Sequence, residues 1–305
     1  RRAACRRPAL AAKLRRMATT FPVARWNIGA VTVTRVVEIE GPSPGSFLFE
    51  VATPERLLQH AWLKPRFLTD DGRTIGAIHA FVVESEGKNI LVDTCVGNDK
   101  PRTVKNWHLR QGRFLEDLLE AGFPREAVDT VLCTHLHVDH VGWNTMLKDG
   151  RWVPTFPEAR YLLGRAEWEH WSKQPAPPDG DVYGDSVKPV LDAGLVDLVA
   201  SDHRVTPEVF LEPTPGHTPG HVSVRIRSRG HEAVITGDLM HHPVQCAEPD
   251  WVNRFDVDPA QARRTRRAFL ARHSDRPVLV LGTHFATPTG GRIVRDGAAW
   301  RFEVS

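Results

Sequence analysis

The sequence predicts an α/β domain built from two β-sheets covered by helices. Three observations point there. Short runs rich in Val, Ile and Thr recur along the chain, segments with helical spacing fall between them, and neither an internal repeat nor a clear linker interrupts the mixture. With 41% hydrophobic and 25% charged residues in 305, the chain has the apolar material for a sizeable core.

Taken in order, AVTVTRVVEIEG at 30–41 reads as a strand by its β-branched content. HAFVVES at 79–85 and NILVDT at 89–94 read as a hairpin turning at Gly87-Lys88. Between them, 42–72 is a long connection holding Pro, Gly and aromatics, of the kind that covers a site rather than builds a core. At 111–123, Phe114, Leu118 and Ala121 fall at helical spacing and Gly122 supplies a stop. DTVLCT at 129–134 is a short apolar run, hence a buried strand. Further strands are expected at 159–164, 207–213, 221–228, 232–237 and 277–283, and helices at 165–172 and 258–273. The second of these helices is capped by Asp258 and has Pro259 at its first position.

Residues 1–16 stand apart. Arg1, Arg2, Arg6, Arg7, Lys13, Arg15 and Arg16 precede the first acidic residue, Glu38. The segment has no long apolar stretch, so it does not read as a secretory signal, and it matches a transit peptide only in composition. It is expected to be an extension outside the fold, with 17–305 forming one domain. Removing its seven charges from the formal +3 leaves −4, and a mildly acidic body offers no ground for nucleic-acid binding. No run of about 18 apolar residues is present, so no membrane span is expected. Cys5, Cys95, Cys133 and Cys246 are widely spaced without a CxxC pair. That excludes a disulfide scaffold and a thiolate metal cluster, and makes the cytoplasm the expected compartment. The partner expected is a small molecule, and a homodimer is compatible with the sequence.

The stretch THLHVDHVGWN at 134–144 follows the predicted strand at 129–134 and crowds His135, His137, Asp139 and His140 into six positions. Neutral imidazole and carboxylate are metal ligands, and alternate residues leaving a strand point to one side. The spacing suggests two coordination spheres. Three later segments, PTPGHTPGHVS at 213–223, ITGDLMHH at 235–242 and VLGTHFATP at 280–288, each place a His or Asp beside Gly after an apolar run. They offer His217, Asp238 and His284. A single histidine at a strand end is usually a hydrogen-bonded structural one. Four such segments together are not explained that way.

The ordered set THLHVDH, TPGHTPGH, TGD and GTH resembles the metallo-β-lactamase-fold hydrolase superfamily, from about residue 30 to the end. The resemblance implies an αββα sandwich of two mixed β-sheets flanked by helices, with a two-metal site at one edge. It implies that His135, His137 and His217 hold one metal, that Asp139, His140 and His284 hold the other, and that Asp238 bridges. It places Asp93 as an aspartate that orders the site without binding metal. His221 is expected to orient a ligand or loop.

Two divalent ions, zinc in the first instance with Mn, Fe or Co also suited to such ligands, hold a water, lower its pKa and turn it into a bridging hydroxide nucleophile. Asp139 is expected to orient that nucleophile and pass its proton to the leaving oxygen. The pattern is closer to lactonases and methyl-parathion-type hydrolases than to true β-lactamases, which generally lack the bridging aspartate. A lactone or aryl ester is therefore the expected substrate, with a phosphotriester as a further one. Where lactonases of the best-known type carry a Tyr three residues after that aspartate, this chain has His241, whose imidazole could donate a hydrogen bond instead. Phe47, Phe49, Trp143, Trp168 and Trp171 either shape a pocket or pack the layers. The alternatives are a glyoxalase-II-like thioesterase, for which Arg263, Arg264, Arg266 and Arg267 would have to bind an anion rather than form a solvated helix face, and a non-catalytic metal-binding scaffold.

Overall fold

In the computed structural model, which describes residues 20–175 and 180–304, the chain begins with strands β1 (Ala24–Ile28) and β2 (Val31–Ser43). After the short helix α1 (Pro54–Leu58) come β3 (Thr74–Ser85) and β4 (Lys88–Val92). Helix α2 (Phe114–Glu120) then leads to β5 (Thr130–Leu132). A small hairpin of β6 (Thr145–Lys148) and β7 (Arg151–Pro154) precedes β8 (Arg160–Gly164), α3 (Arg165–Trp171), α4 (Lys188–Asp192) and β9 (Val196–Val199). The second half runs β10 (Val209–Pro213), β11 (Val222–Ser228), β12 (His231–Ile235), α5 (Val244–Ala247), α6 (Pro259–His273), β13 (Val278–Leu281), β14 (Gly290–Asp296) and β15 (Ala299–Val304). The extension expected at 1–16 lies outside the described residues. Among the described residues no helix is long and apolar enough to cross a membrane.

The strands form a seven-stranded sheet in the order β1-β2-β3-β4-β5-β8-β9 and a six-stranded sheet in the order β10 to β15. Period-two alternation decides which side chains face which layer. On the first sheet Phe81, Val83, Ile90, Val92 and Leu132 point to the second, where Val224, Ala233, Ile235 and Leu281 meet them in one buried cluster. The intervening Ala80, Val82, Leu91 and Val131 face outward onto α2 residues Phe114 and Leu118. Val234 and Val280 face outward onto Phe269 and Leu270 of α6. Helix, sheet, sheet and helix thus stack as the expected αββα sandwich.

Direction explains where a site forms. β4, β5 and β8 run parallel, as do β12 and β13, because long crossovers join them: α2 between β4 and β5, the β6–β7 hairpin between β5 and β8, and α5 with α6 between β12 and β13. β10 is antiparallel to β11, which is antiparallel to β12, so β10 also ends at the edge where β12 and β13 end. The backbone of Val222 donates to Thr134 O at 3.1 Å and that of Ala77 to His284 O at 3.0 Å, which sets the carboxyl ends of the two sheets side by side.

Most expected elements form within a few residues of the places read from sequence. The hairpin expected at 79–94, formed by β3 and β4, turns one residue earlier, at Glu86-Gly87, where both φ angles are positive, 52° and 72°, as a tight turn between twisted strands requires. The expected cap on α6 is made: Asp258 accepts from Gln261 N at 2.9 Å. Not all of the arginine run on α6 is solvated. Arg266 is fully buried and donates to the carbonyls of Leu239, Pro249 and Trp251.

Candidate metal centre

The predicted ligands converge at the paired sheet ends. His135, His137, His217 and Asp238 bring one donor atom each within 4.8 Å of one another, and so do Asp139, His140 and His284. Asp238 sits between the groups. Its Oδ2 lies 3.6 Å from His135 Nε2 and 3.2 Å from His217 Nε2, while its Oδ1 lies 3.2 Å from His140 Nε2 and 3.1 Å from His284 Nε2. Asp139 reaches the second group from the side, 3.8 Å from His140 Nε2 and 3.6 Å from His284 Nε2.

What lies behind four of the imidazoles fixes their tautomers. His140 Nδ1 donates to Asp93 Oδ2 at 2.9 Å, His217 Nδ1 to Asp256 Oδ1 at 2.9 Å, and His284 Nδ1 to Ala77 O at 2.9 Å. These oxygens can only accept. The Thr134 hydroxyl donates to Asp93 and so accepts from His135 Nδ1 at 3.1 Å. In the neutral rings of His135, His140, His217 and His284 the inward Nε2 is therefore a bare lone pair. His137 Nδ1 nevertheless stands 2.9 Å from His217 Nε2 and 3.1 Å from His135 Nε2, and His284 Nε2 stands 3.3 Å from His140 Nε2. Buried nitrogens crowded this closely are unfavourable unless protons or a cation sit among them. Asp238 Oδ1 is likewise buried with no hydrogen-bond donor. Donors about 2.0–2.1 Å from one tetrahedral ion lie roughly 3.3 Å apart. The residues thus fit a dinuclear divalent metal site.

Without an ion, protons supply part of that positive charge. Burial holds His135 and His137 well below the ordinary imidazole range, which leaves them neutral. Burial opposes charge at His217 as well, yet Asp238 and Asp256 outweigh it and raise the ring to about 9. Burial would also raise the Asp238 carboxyl, but His140, His284, His241 and His135 around it hold it well below the usual range. A bound cation would take over the role that protons play among these groups.

The nearby histidines divide by what they touch. His221 donates from Nδ1 to Thr214 O and accepts the backbone N–H of Asp238 at Nε2, at 2.8 Å. It orients the shared aspartate and presents no lone pair to the site. Gly237 permits this contact: its φ is +55°, and a Cβ there would lie 2.6 Å from His221 Nε2. His242 turns away to Phe67 O at 2.8 Å. His241 stays in the site, with Nε2 3.0 Å from Asp238 Oδ2 and its ring parallel to His284.

Two residues escaped the sequence reading. Asp256 follows no motif and is found only by its bond to His217. Replacing it by Asn should weaken metal affinity about 10–100-fold while the protein stays folded, measurable by competition with a chromogenic chelator. Glu167, 1% exposed, accepts from Leu136 N at 3.1 Å, Gly220 N at 3.0 Å and Trp171 Nε1 at 2.6 Å. It ties the loop carrying His135 and His137 and the loop carrying His217 to α3. Glu167→Ala would strand three donors at a cost of about 3 kcal/mol or more, visible in chemical denaturation of the metal-free protein.

A cavity of about 810 Å³ opens on Asp139, Asp238, His241 and His284. Of the aromatics singled out in the sequence, Phe47, Trp168 and Trp171 line it. Phe49 packs under the second sheet, and Trp143 stacks on Phe114 and donates to Glu38. Trp107, Tyr183 and Phe255 also line the cavity, Tyr183 despite its distance from His241 in sequence.

The chain is similar to a Bacillus N-acyl homoserine lactonase, 28% identical over 173 residues, which are 52% of this chain and 61% of that protein. It also resembles the probable metallo-hydrolase Rv2300c of Mycobacterium tuberculosis, 27% identical over 189 residues, 54% of this chain and 57% of that protein. It thus spans about three fifths of the length of the curated relatives it matches. Among solved structures, the fold matches the hydrolase AbOPH at a TM-score of 0.76 and 23% identity, covering 95% and 98% of the two chains. It matches AidC, a dizinc quorum-quenching lactonase, at 0.75 and 19%, covering 93% and 97%. The family model of the metallo-beta-lactamase superfamily matches residues 73–290, and with the sandwich and the converging donors in place, the chain belongs to that superfamily.

Proposed function

We propose that the protein is a dinuclear metal-dependent hydrolase of an ester-type bond, with a lactone or aryl ester as substrate and a phosphotriester as a further one. The observation that carries this reading is Asp238, whose two oxygens face separate sets of donors at the floor of a cavity large enough for a small molecule. His135, His137, His217 and Asp238 Oδ2 would hold one ion; Asp139, His140, His284 and Asp238 Oδ1 would hold the other. Zinc is the proposed metal, with Mn, Fe or Co as substitutes the same donors accept. When bound, such a pair supplies a shared water of lowered pKa and polarises the oxygen of the scissile group.

The rest of the chemistry belongs to side chains. Asp139 lines the cavity and keeps its side chain 14% exposed, so it can orient the attacking water, accept its proton and return it to the leaving oxygen. His241 Nδ1 is buried with no partner. A bare acceptor is tolerated there more readily than a bare N–H, and Asp238 can only accept, so the proton sits on Nε2. Burial keeps this ring at about 4, against the pull of Asp238. A neutral imidazole thus retains one site-facing N–H, which can stabilise oxygen charge in the transition state.

Neither alternative gains a supporting contact. A glutathione thioester needs cations, but Arg266 is buried under backbone carbonyls and Arg267 is paired with Asp250. An inert scaffold gives no reason for an open cavity over the donors. Cys95, Cys133 and Cys246 are buried and unpaired, which supports a reducing compartment and hence the cytoplasm.

The test is a panel of a lactone, an aryl ester, a thioester and a phosphotriester, offered to protein whose metal has been quantified. Two equivalents of metal with turnover of a lactone or aryl ester is expected, abolished by chelation and restored by zinc. Two equivalents without turnover on any substrate would favour the scaffold.

A further inference from the structure

The cavity walls can be placed by what each touches. Trp171 meets the His137 ring at 5.2 Å, edge to face, and Trp168 lies beside Tyr183 with ring centres 5.7 Å apart. Phe47 meets Phe255 at 5.9 Å, next to Asp256 behind His217. Ile78 follows Ala77, whose backbone pairs with His284. Apolar surface therefore surrounds the metal donors on the sides of His137, His217 and His284.

The charges are one-sided. Among the described lining residues outside the metal centre, the only charged side chains are Glu40 and Asp181, and neither Lys nor Arg contributes. Glu40 is engaged: its Oε2 accepts from Thr287 N and Oγ1, at 2.9 and 2.8 Å, and stands 3.9 Å from Arg35. Asp181 accepts from Gly184 N at 2.8 Å, is exposed, and has no ion pair among the described residues.

We propose that this cavity selects substrates by the sign of charge on the group remote from the scissile bond, admitting uncharged and cationic groups and refusing anionic ones. The inference rests on the hydrolase reading and narrows its substrate class. A carboxylate pressed onto the Trp168–Tyr183 wall would lose its water and meet no donor cation. It would also approach the Asp181 carboxylate. An ammonium group in the same place meets aromatic faces and that carboxylate, both of which attract it.

The test uses three 4-nitrophenyl esters of equal chain length, ending in a methyl ester, a carboxylate or a trimethylammonium group, given to the metal-loaded enzyme at neutral pH. The anionic ester is expected to fall about 100-fold below the neutral one in kcat/KM, mostly through KM, and the cationic one to stay within about tenfold. Trp168→Arg, checked for an unchanged melting temperature, should close the anionic gap by about tenfold. Equal kcat/KM for the neutral and anionic esters would overturn the proposal. So would a cationic ester refused as strongly as the anionic one, because that is selection for apolarity alone.

If none of the three is cleaved by protein carrying two metals, the hydrolase reading fails on its own. Quenching of the cavity tryptophans by the same compounds then decides the charge question: binding of the neutral and cationic forms about 30-fold tighter than the anionic form supports it, and equal binding overturns it.

Discussion

Asp139→Asn should fold as the parent does, retain most of its metal and lose about 10²–10⁴-fold in kcat. The expectation follows from where this carboxylate sits. At 3.8 and 3.6 Å from the His140 and His284 nitrogens, it is the outermost donor of its group, and the two histidines with Asp238 remain when its charge is removed. Asparagine keeps an oxygen to offer but cannot take and return a proton. The side chain is partly exposed, so the loss of charge strands no buried partner and costs little stability. Kinetics on protein of measured metal content, with a melting curve as control, checks this. Turnover at the parent rate in a fully loaded variant would remove Asp139 from proton transfer.

Asp238→Ala should have the larger effect on the centre itself, reducing bound metal below two equivalents and abolishing activity. Its two oxygens lie 3.0–3.6 Å from five imidazole nitrogens, those of His135, His217, His241, His140 and His284. No neighbouring carboxylate can replace both. Asp139 stands on one side only, and Asp93 and Asp256 are turned to the backs of His140 and His217. Elemental analysis after dialysis measures the outcome, and two retained equivalents would show that the groups hold their ions independently of the shared aspartate.

Much of the candidate centre is legible in the sequence because its donor residues sit at the carboxyl ends of short apolar strands, where the chain mostly marks the exit with glycine. TPGH, TGD and GTH carry that signature, and THLHVDH is marked instead by its crowding of histidines and an aspartate. His221 could be set apart from the ligands because the resemblance claims the first histidine of GHTPGH. The structure supplies its contact, the N–H of Asp238. Asp256 and Glu167 could not be found this way. Each acts through one or two hydrogen bonds to a distant loop, and Glu167 occupies a helix position that its own neighbours explain as ordinary packing. Arg266 was misjudged for a related reason: in a run of arginines on one helix, period alone cannot show which one turns beneath the loop carrying Asp238. Strands β1, β6, β7, β9, β14 and β15 went unread because they are short or interrupted by polar residues, and their pairing partners decide them more than local preference does.

The most direct measurement is anomalous diffraction at the zinc edge from crystals grown with zinc. A shared dinuclear centre requires two peaks about 3.5–4 Å apart, with one oxygen of Asp238 on each, His135, His137 and His217 around the first, and Asp139, His140 and His284 around the second. A single peak, or two with Asp238 touching only one, would contradict it.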